Sequence, residues 1–272
     1  MRNINLLILL IGLTSSLANA QQEPLNESLI SATLTIETTA IAARADAPID
    51  LTGTWVSIVS EDWRWRMTTP LIGDFANIPE NEAAREIGMA WTPETNVGNE
   101  CIAYGAPGIM HRPGRIKISW EDDITLKMEF DAGMQTRMFY FDETMAPGAP
   151  SRQGHTLAKW EDPPAPTSVN GLRIGQTRRV GTTTRSLEAL TSNLIPGYLR
   201  KNGIPHSDQT KVTEYFDLFE TPAGVTWFVD TIIVEDPVYL VEPWVTTMHF
   251  MKETDDSKWN PQECFVMHEN EL

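Results

Sequence analysis

The stretch LTGTWVSIVSEDWRWRMTT, residues 51–69, reads as the opening strand of an antiparallel β-barrel. Alternate positions carry large apolar side chains, starting with Trp55 and continuing through Trp63 and Trp65. Gly53 permits a tight turn into the strand, so that Trp55 is placed to fill the bottom of a core. The stretch therefore predicts a barrel whose interior begins at Trp55.

Further strands are expected at regular intervals along the chain, a spacing that favours an all-β barrel or sandwich over a parallel α/β sheet. Turns of hairpin length or rich in Gly and Pro separate them. The predicted strands are Arg115–Trp120, Thr125–Phe130, Met134–Phe141, His155–Glu161, Arg178–Thr184, Ser186–Leu194, Lys211–Glu220, Val225–Val234 and Val245–Lys252. The fold class predicted is an all-β antiparallel barrel of about nine or ten strands.

One short helix is expected beside the barrel, at Glu80–Trp91. Glu residues early in the segment, apolar residues at helical spacing and a Pro on each side support it. The following segment, Cys101–Arg115, is rich in Gly and Pro and is predicted to be a loop.

The first 20 residues have the features of a secretory signal peptide: one Arg, a short apolar run and a final Ala-Asn-Ala. The apolar run is too short to span a bilayer. Residues 21–49 read as a leader that is partly ordered at best, and residues 50–272 as a single β-barrel domain. We therefore expect a periplasmic or secreted protein.

The formal net charge of −16 disfavours nucleic acid and anionic membranes as partners. Serine-hydrolase and phosphate-binding motifs are absent from the sequence, which disfavours the usual serine hydrolases, kinases and nucleotide-dependent oxidoreductases. The five His residues are not paired at helical or strand spacing, so no metal site is expected; a zinc site built from separated strands is the alternative. No cofactor is expected.

The sequence contains two cysteines, Cys101 and Cys264. An even number of cysteines in an exported chain favours a disulfide, with free buried thiols as the alternative. A bridge would tie the C-terminal tail to the segment that follows the first strand.

Gly53-Thr54-Trp55 resembles the G-x-W signature of the lipocalins and the wider calycin group, and Thr213-Glu214-Tyr215 is similar to their T-D-Y motif. The resemblance implies a calycin-like barrel in which a basic residue near the last strand packs across the Trp; Lys252 is the nearest match. The chain departs from the family pattern in its length, in an insertion at residues 70–100 and in lacking a clear C-terminal helix. As a whole it looks most like uncharacterised bacterial exported proteins.

The densest cluster of aromatic and charged residues is Asp62-Trp63-Arg64-Trp65-Arg66. In a strand, both Trp would lie on one face and both Arg on the other. Together with Trp55, the cluster would form a ligand wall, with rings stacking on an apolar molecule and Arg binding a carboxylate. The alternative is a core Trp pair behind an outer face of ion pairs.

A second cluster occupies residues 194–215, where turn signals surround Tyr198, Arg200 and Lys201, followed by His206. Cations, a Tyr and a His on one loop at the mouth of a barrel could bind an anion or polarise a carbonyl. The alternative is a solvated surface loop.

Candidate catalytic residues are His249, Glu214, Tyr198 and Asp62. A half-buried His249 could act as a general acid or base, with Glu214 orienting it if their strands adjoin. The alternative is a His that is simply hydrogen-bonded in place.

These residues support two hypotheses about function. The first is an exported barrel that binds a small hydrophobic or aromatic molecule in its cavity. The second is a cofactor-independent enzyme, an isomerase, cyclase, hydratase or lyase, that uses acid and base groups in the same cavity. A third hypothesis, a structural protein or homodimer, rests on Val225–Val234, which is apolar on both faces.

Overall fold

The computed structural model describes residues 43–161 and 186–265. The expected signal peptide, most of the expected leader and the predicted strand Arg178–Thr184 lie outside these residues. Within them, the chain forms a closed β-barrel of nine strands and a separate two-stranded hairpin.

The strands are β1 Gly53–Ile58, β2 Arg115–Trp120, β3 Thr125–Phe130, β4 Thr136–Tyr140, β5 His155–Trp160, β6 Leu187–Ser192, β7 Gly197–Tyr198, β8 Pro205–His206, β9 Lys211–Glu220, β10 Thr226–Glu235 and β11 Trp244–Lys252. β7 and β8 form the hairpin, and the other nine strands form the barrel. The predicted bounds of β2, β3 and β9 agree with the structure.

Strands that follow one another in the barrel lie side by side, and β11 closes the ring against β1. An odd number of strands cannot alternate in direction all the way round a closed ring, so one neighbouring pair must be parallel. That pair is β4 and β5; the other barrel pairs are antiparallel. The predicted all-β barrel of nine or ten strands is confirmed.

Three short helices occur in the described residues: α1 Trp63–Arg66, α2 Glu82–Ala90 and α3 Ala106–Ile109. α2 confirms the predicted flanking helix. Its N-cap is Asn81, whose side chain accepts a hydrogen bond from the Ala84 amide at 3.0 Å. The Asn81 amide group also donates to the Val238 carbonyl, which fixes the helix against the loop after β10.

The prediction that Cys101–Arg115 is a loop was wrong in part. A 3₁₀ helix, Glu100–Ala103, and the buried helix α3 occupy much of that segment. Pro107 lies in the first turn of α3, where its missing amide hydrogen removes no helical hydrogen bond. The Pro that suggested a loop therefore fits a helix start.

The prediction of one long strand across residues 51–69 was also wrong, because β1 ends at Ile58 and the chain turns into α1. Asp62 adopts the left-handed conformation at φ 52° just before the helix. Arg66 folds back onto the end of β1, donating to Ser57 at 2.9 Å and to Glu61 at 2.7 Å. The alternation of Trp and Arg therefore does not place the two Trp on one strand face.

The core begins at Trp55, as the sequence indicates. The indole is fully buried, and its Nε1 donates to the Leu51 carbonyl at 2.8 Å. Lys252 places its ammonium 5.1 Å from the indole centroid, a cation–π contact across the start of the barrel. Two more aromatic rings pack above Trp55. The Phe228 ring centroid lies 5.2 Å from that of Trp55, and Phe250 stacks on Phe228 with centroids 4.4 Å apart.

The outer face of β10 is half-buried at Trp227, Val229 and Ile233, whereas the alternate residues face the interior and are buried. Trp227 stacks on Phe219 of β9 across the outside of the barrel, with centroids 6.3 Å apart. The predicted homodimer stays a prediction.

Cys101 and Cys264, 163 residues apart, form the predicted disulfide with Cα atoms 5.1 Å apart. It joins the 3₁₀ helix before α3 to the C-terminal tail. Backbone hydrogen bonds between Gln262 and residues 131 and 133 hold the tail beside the β3–β4 turn. In the part of the chain that is described, no helix has the length and apolarity needed to cross a bilayer.

Candidate functional site

Buried charge is concentrated toward one end of the barrel, which we call the capped end. It is the end where β1, β3, β6 and β10 finish and β2, β4, β5, β9 and β11 begin. The connections that close it, residues 59–114 and 193–210, contain α1, α2, α3 and the β7–β8 hairpin. Two groups of side chains lie here, one inside the barrel wall and one in the cap.

The first group, which we call the interior cluster, consists of Arg137, Thr191, Glu214 and Asp230. Arg137 and Glu214 form a two-pronged ion pair with N–O distances of 2.7 and 2.5 Å, and both side chains are fully buried. Arg137 also donates to the Thr191 hydroxyl at 3.0 Å. Although burial opposes its charge, Glu214 keeps the pKa of Arg137 above its usual value.

Asp230 lies inside the barrel on β10 and is fully buried. Neither of its carboxyl oxygens has a hydrogen-bond partner among the described residues. Burial, reinforced by the negative charge of Glu214, raises the pKa of Asp230 well above its usual value. The arrangement therefore places the Arg137–Glu214 ion pair near a carboxyl, that of Asp230, that favours its protonated form.

Aromatic rings fill the barrel between this cluster and Trp55. Phe139 packs against Phe216 at 5.8 Å, and Phe216 packs against Phe228 at 5.9 Å. All three rings are fully buried. Side chains therefore fill this section of the interior, which does not form an open cavity.

The second group, which we call the cap cluster, consists of Arg66, His111, Arg112, Arg200 and Lys201, all 5% exposed or less. Arg66 has the fullest set of partners. It is paired with Glu61, and it also donates to Ser57 and to the His111 carbonyl.

Arg112 follows α3 and donates one bond, 3.3 Å long, to the Leu199 carbonyl. Its Nε has no acceptor among residues 43–161 and 186–265. Burial lowers the pKa of Arg112 to about 10. Its neighbour His111 is bonded through Nε2 to Thr246, and burial holds its pKa well below the usual value, so the imidazole is neutral.

Arg200 lies within a stack of rings. Its guanidinium carbon is 4.8 Å from the Trp65 centroid and 5.5 Å from the Trp244 centroid, while His111 stacks on Trp244 at 4.8 Å. Arg200 donates to the Ala76 carbonyl at 2.7 Å, and burial lowers its pKa to about 10.

Trp65 lies on the solvent side of this stack and is partly buried. The guanidinium carbon of Arg64 is 4.6 Å from its ring centroid. Arg64 is exposed and pairs with Asp74 at 2.6 Å. Trp63, in the same helix turn, is 65% exposed. Aromatic rings and guanidinium groups thus continue from the protein surface into the cap.

The last member of the cap cluster, Lys201, lies on the tight turn that joins β7 to β8. Within the described chain, its ammonium is in contact with the faces of two aromatic rings, Phe265 at 3.9 Å and Tyr104 at 5.6 Å. Burial, together with the charge of Arg112, lowers the pKa of Lys201 to about 7.

The predicted pairing of His249 with Glu214 is not formed. Their strands do not adjoin, because β10 lies between β9 and β11. Glu214 points into the barrel, whereas His249 lies on the outer side, one-third exposed, with Nδ1 3.0 Å from Glu61. The two residues therefore do not form an acid–base unit.

All but one of the remaining candidates lie around the capped end. Asp62 accepts a hydrogen bond from Asn77 at 2.7 Å, outside the cap cluster. Tyr198 is half-buried on β7, and burial raises its pKa. His206 is buried on β8 and is bonded to the Ser207 carbonyl at 3.1 Å. Trp55 lies at the opposite end of the barrel.

Sequence reasoning missed several residues of the two clusters, and two aromatic residues that contact the cap cluster. They are His111, Arg112, Arg137 and Asp230, with Tyr104 and Trp244. For two of them, the alternation of residues along the strand could have revealed their position. Arg137 and Asp230 each occupy a position whose strand parity faces the core, and a charged residue at such a position is informative. The others lie in or next to irregular segments, where periodicity carries no information.

No protein-family model matches the chain, and no curated protein or solved structure is significantly similar to it. Within the described residues, no group of three or more His, Cys, Asp or Glu side chains is arranged to hold a metal ion.

Proposed function

We propose that the protein binds a small hydrophobic or aromatic molecule that carries an anionic group, and that it does so at the capped end of the barrel. The observation behind this proposal is the stack formed by Trp65, Arg200 and Trp244. Aromatic faces suit a flat apolar ligand, and guanidinium groups suit a carboxylate or a similar anion. The stack continues to the surface through Arg64 and Trp63.

The balance of charge in the cap supports an anionic ligand. In the described part of the chain, no carboxylate is paired directly with Arg112, Arg200 or Lys201, although the protein as a whole is strongly acidic. Buried cations are costly unless an anion compensates them. An anion bound at the stack would supply that compensation for Arg200 and for Arg112, whose charge acts on Arg200.

The packing of the barrel interior supports a site in the cap instead of a deep cavity. Phe139, Phe216 and Phe228 occupy the space that an enclosed ligand would need. We therefore retain the ligand class expected from the sequence and move its site to the capped end.

We also propose that the barrel is calycin-like and that the protein is exported. The contact between Lys252 and Trp55 supports the first point, because the lipocalin resemblance implies a basic residue across that Trp. A disulfide between distant parts of the chain suits an oxidising compartment, and this supports a periplasmic or secreted location.

Calorimetric titration with two probes tests the proposed function. 1-Naphthoate and 1-naphthalenemethanol share a ring system and differ in charge, so the protein should bind naphthoate more tightly. Arg200→Gln should weaken naphthoate binding by about 10- to 100-fold and leave the alcohol nearly unaffected. Because Arg200 is buried, the exposed Arg64→Gln provides a second variant, with a smaller loss expected.

Lys159→Gln is the matched control, since Lys159 is an exposed cation paired with Glu188 on the outside of β5. It should not change the affinity for either probe. Equal affinity for the two probes, or naphthoate binding that neither Arg change weakens, would contradict the proposed function.

A further inference from the structure

The outward side chains of four neighbouring strands, β9, β10, β11 and β1, form a continuous surface on the outside of the barrel. We call it the four-strand face; it consists of the outward residues within 213–219, 227–233, 245–251 and 56–58. Most of these side chains are apolar. Val245 is 58% exposed and Phe219 is 47% exposed, while Trp227, Val229 and Ile233 are half-buried. A contiguous apolar surface of this kind marks a site of interaction.

The four-strand face carries little charge, although the formal net charge of the protein is −16. Among the outward residues of these spans, Asp217 is the only carboxylate and His249 is the only side chain that can become cationic. They lie in one row across the sheet, because Val229 of β10 is in register with both of them. The strands beyond the face carry ion pairs instead, Arg115–Glu253 beside β1 and Lys159–Glu188 beyond β9. Two copies of so acidic a protein repel each other wherever acidic side chains are dense, so a face with few of them is where a second copy can dock.

We propose that the four-strand face is the interface of a homodimer, in which the faces of two copies pack together across a two-fold axis that runs along β10. Sheets that pack face to face keep their strands nearly aligned, and a two-fold dimer brings the same patch of both copies together. An axis along β10 places the β9 side of one copy against the β11 side of the other. Asp217 therefore faces His249 of the partner subunit, twice in the dimer. An axis across the strands would instead oppose Asp217 to Asp217 of the partner subunit, which their like charge disfavours.

Asp217 and His249 each have an atom for this contact. His249 is bonded to Glu61 through Nδ1 at 3.0 Å, which leaves Nε2 without an acceptor among the described residues. Asp217 accepts a hydrogen bond from the Ser186 hydroxyl through one carboxyl oxygen, which leaves the other oxygen for a second donor. A protonated imidazole donates through both nitrogens, so His249 can bridge Glu61 and Asp217 of the partner subunit. The two carboxylates favour the protonated ring.

The uncharged rows of the face are also complementary under this axis. Strand register places Phe219 and Met251 in one row and Tyr215 and Thr247 in another, on opposite sides of β10. Each ring of β9 therefore faces a smaller side chain of β11: Phe219 faces Met251 of the partner subunit, and Tyr215 faces Thr247 of the partner subunit. Val229 lies on the axis and faces Val229 of the partner subunit.

The size of the face suits a reversible dimer. With strands about 4.8 Å apart and outward residues about 6.8 Å apart along each strand, the face covers about 450 Å² of sheet. Two copies would then bury roughly 900 Å², the size of a weak and reversible interface. We expect a dissociation constant on the order of 10 µM.

Analytical ultracentrifugation of the full-length protein, from about 1 to 200 µM and at about pH 6, tests the proposed dimer. Val229→Glu places two carboxylates on the axis and should raise the dissociation constant at least about 100-fold. Leu190→Glu is the matched control, because Leu190 is 41% exposed on β6, outside the four-strand face. It should change the dissociation constant by less than about twofold. Thermal unfolding shows that each variant is folded.

A charge exchange tests the direction of the axis. Asp217→Lys opposes Lys to His249 of the partner subunit, and His249→Glu opposes Glu to Asp217 of the partner subunit, so each variant alone should be monomeric. In a mixture of the two variants, both contacts join opposite charges. The mixture should therefore form a heterodimer, which native mass spectrometry distinguishes by its mass.

The inference goes beyond the proposed function, since the four-strand face lies outside the barrel and takes no part in the Trp65–Trp244 stack. A wild-type protein that stays monomeric over the whole concentration range would overturn it and leave the face to a different protein. A dimer that Val229→Glu leaves intact, or a mixture of Asp217→Lys and His249→Glu that stays monomeric, would overturn it as well.

Discussion

Arg137 and Glu214 face each other across the inside of the barrel and form a fully buried two-pronged ion pair. They lie on β4 and β9, strands that are not neighbours in the sheet, so the pair crosses the interior. Arg137 also donates to the Thr191 hydroxyl, and the charges of the pair act on Asp230 without a hydrogen bond to it. The pair links two strands that β5 and β6 separate in the barrel wall, just below the cap.

Removal of one partner of this pair should be strongly destabilising. Arg137→Met leaves the Glu214 carboxylate buried without compensation, and we expect a loss of about 3–5 kcal/mol in the free energy of unfolding. Urea denaturation followed by Trp fluorescence measures it. Lys159→Gln, which breaks an exposed pair, should cost less than about 1 kcal/mol.

The double variant Arg137→Met/Glu214→Leu serves as the control for that loss. Removing both charges should recover most of the stability, because no uncompensated charge is left inside. A double variant as unstable as Arg137→Met would show that packing, and not charge, is responsible.

Asp230→Asn should stabilise the protein at neutral pH. The folded state raises the pKa of Asp230, so the folded state binds more protons than the unfolded state above about pH 4. Stability contributed by the protonated group is complete below the unfolded pKa and is lost as pH rises toward the folded pKa. Each rise of one pH unit between the two pKa values lowers the free energy of unfolding by about 1.4 kcal/mol.

Between pH 4 and 8, the free energy of unfolding of Asp230→Asn should therefore depend less on pH than that of the wild type. At pH 7 it should exceed the wild-type value by more than about 1 kcal/mol. Asp208→Asn, at an exposed position, is the reference and should follow the wild-type curve. Parallel curves for Asp230→Asn and the wild type would contradict the raised pKa.

Loss of the disulfide should lower the free energy of unfolding by about 5 kcal/mol in the chain-entropy treatment of a loop of this length. The double variant Cys101→Ser/Cys264→Ser measures the loss. Reductant should destabilise the wild type by a similar amount and should have no effect on the variant. A reductant effect on the variant would point to another cause.

Gly203→Ala should be among the more damaging substitutions at the capped end. The residue has φ +82°, and an added Cβ would lie 2.1 Å from the Trp91 ring. Gly98 has a similar φ of +80° with nothing within 4 Å of the added atom, so Gly98→Ala isolates the backbone strain. We expect Gly98→Ala to lower the free energy of unfolding by about 1–2 kcal/mol and Gly203→Ala to lower it clearly more. Thermal and urea denaturation measure both losses.

The strands were predictable because their signal is local. In β10 every second residue from Phe228 to Val234 is buried, and β9 shows the same alternation from Val212 to Phe216. Such a period can be read without knowledge of the fold. The single parallel pair, β4 with β5, was not predictable, since it follows from the number of strands in the closed ring.

The helix α1 shows why local patterns fail elsewhere. Trp63-Arg64-Trp65-Arg66 alternates like a strand, yet Arg66 is buried by partners at residues 57, 61 and 111. These partners come together only when the cap forms. The same holds for Arg112 and Arg200, whose surroundings combine segments far apart in the sequence.

The location of the ligand site is the central claim, and indole NMR tests it most directly. Single Trp→Phe variants assign the indole signals, and naphthoate is then added to the full-length protein. Signals of Trp65 and Trp244 should shift on binding, while the signal of Trp55, at the opposite end of the barrel, should stay in place. A shift of Trp55 with Trp65 and Trp244 unmoved would contradict the account and place the ligand inside the barrel.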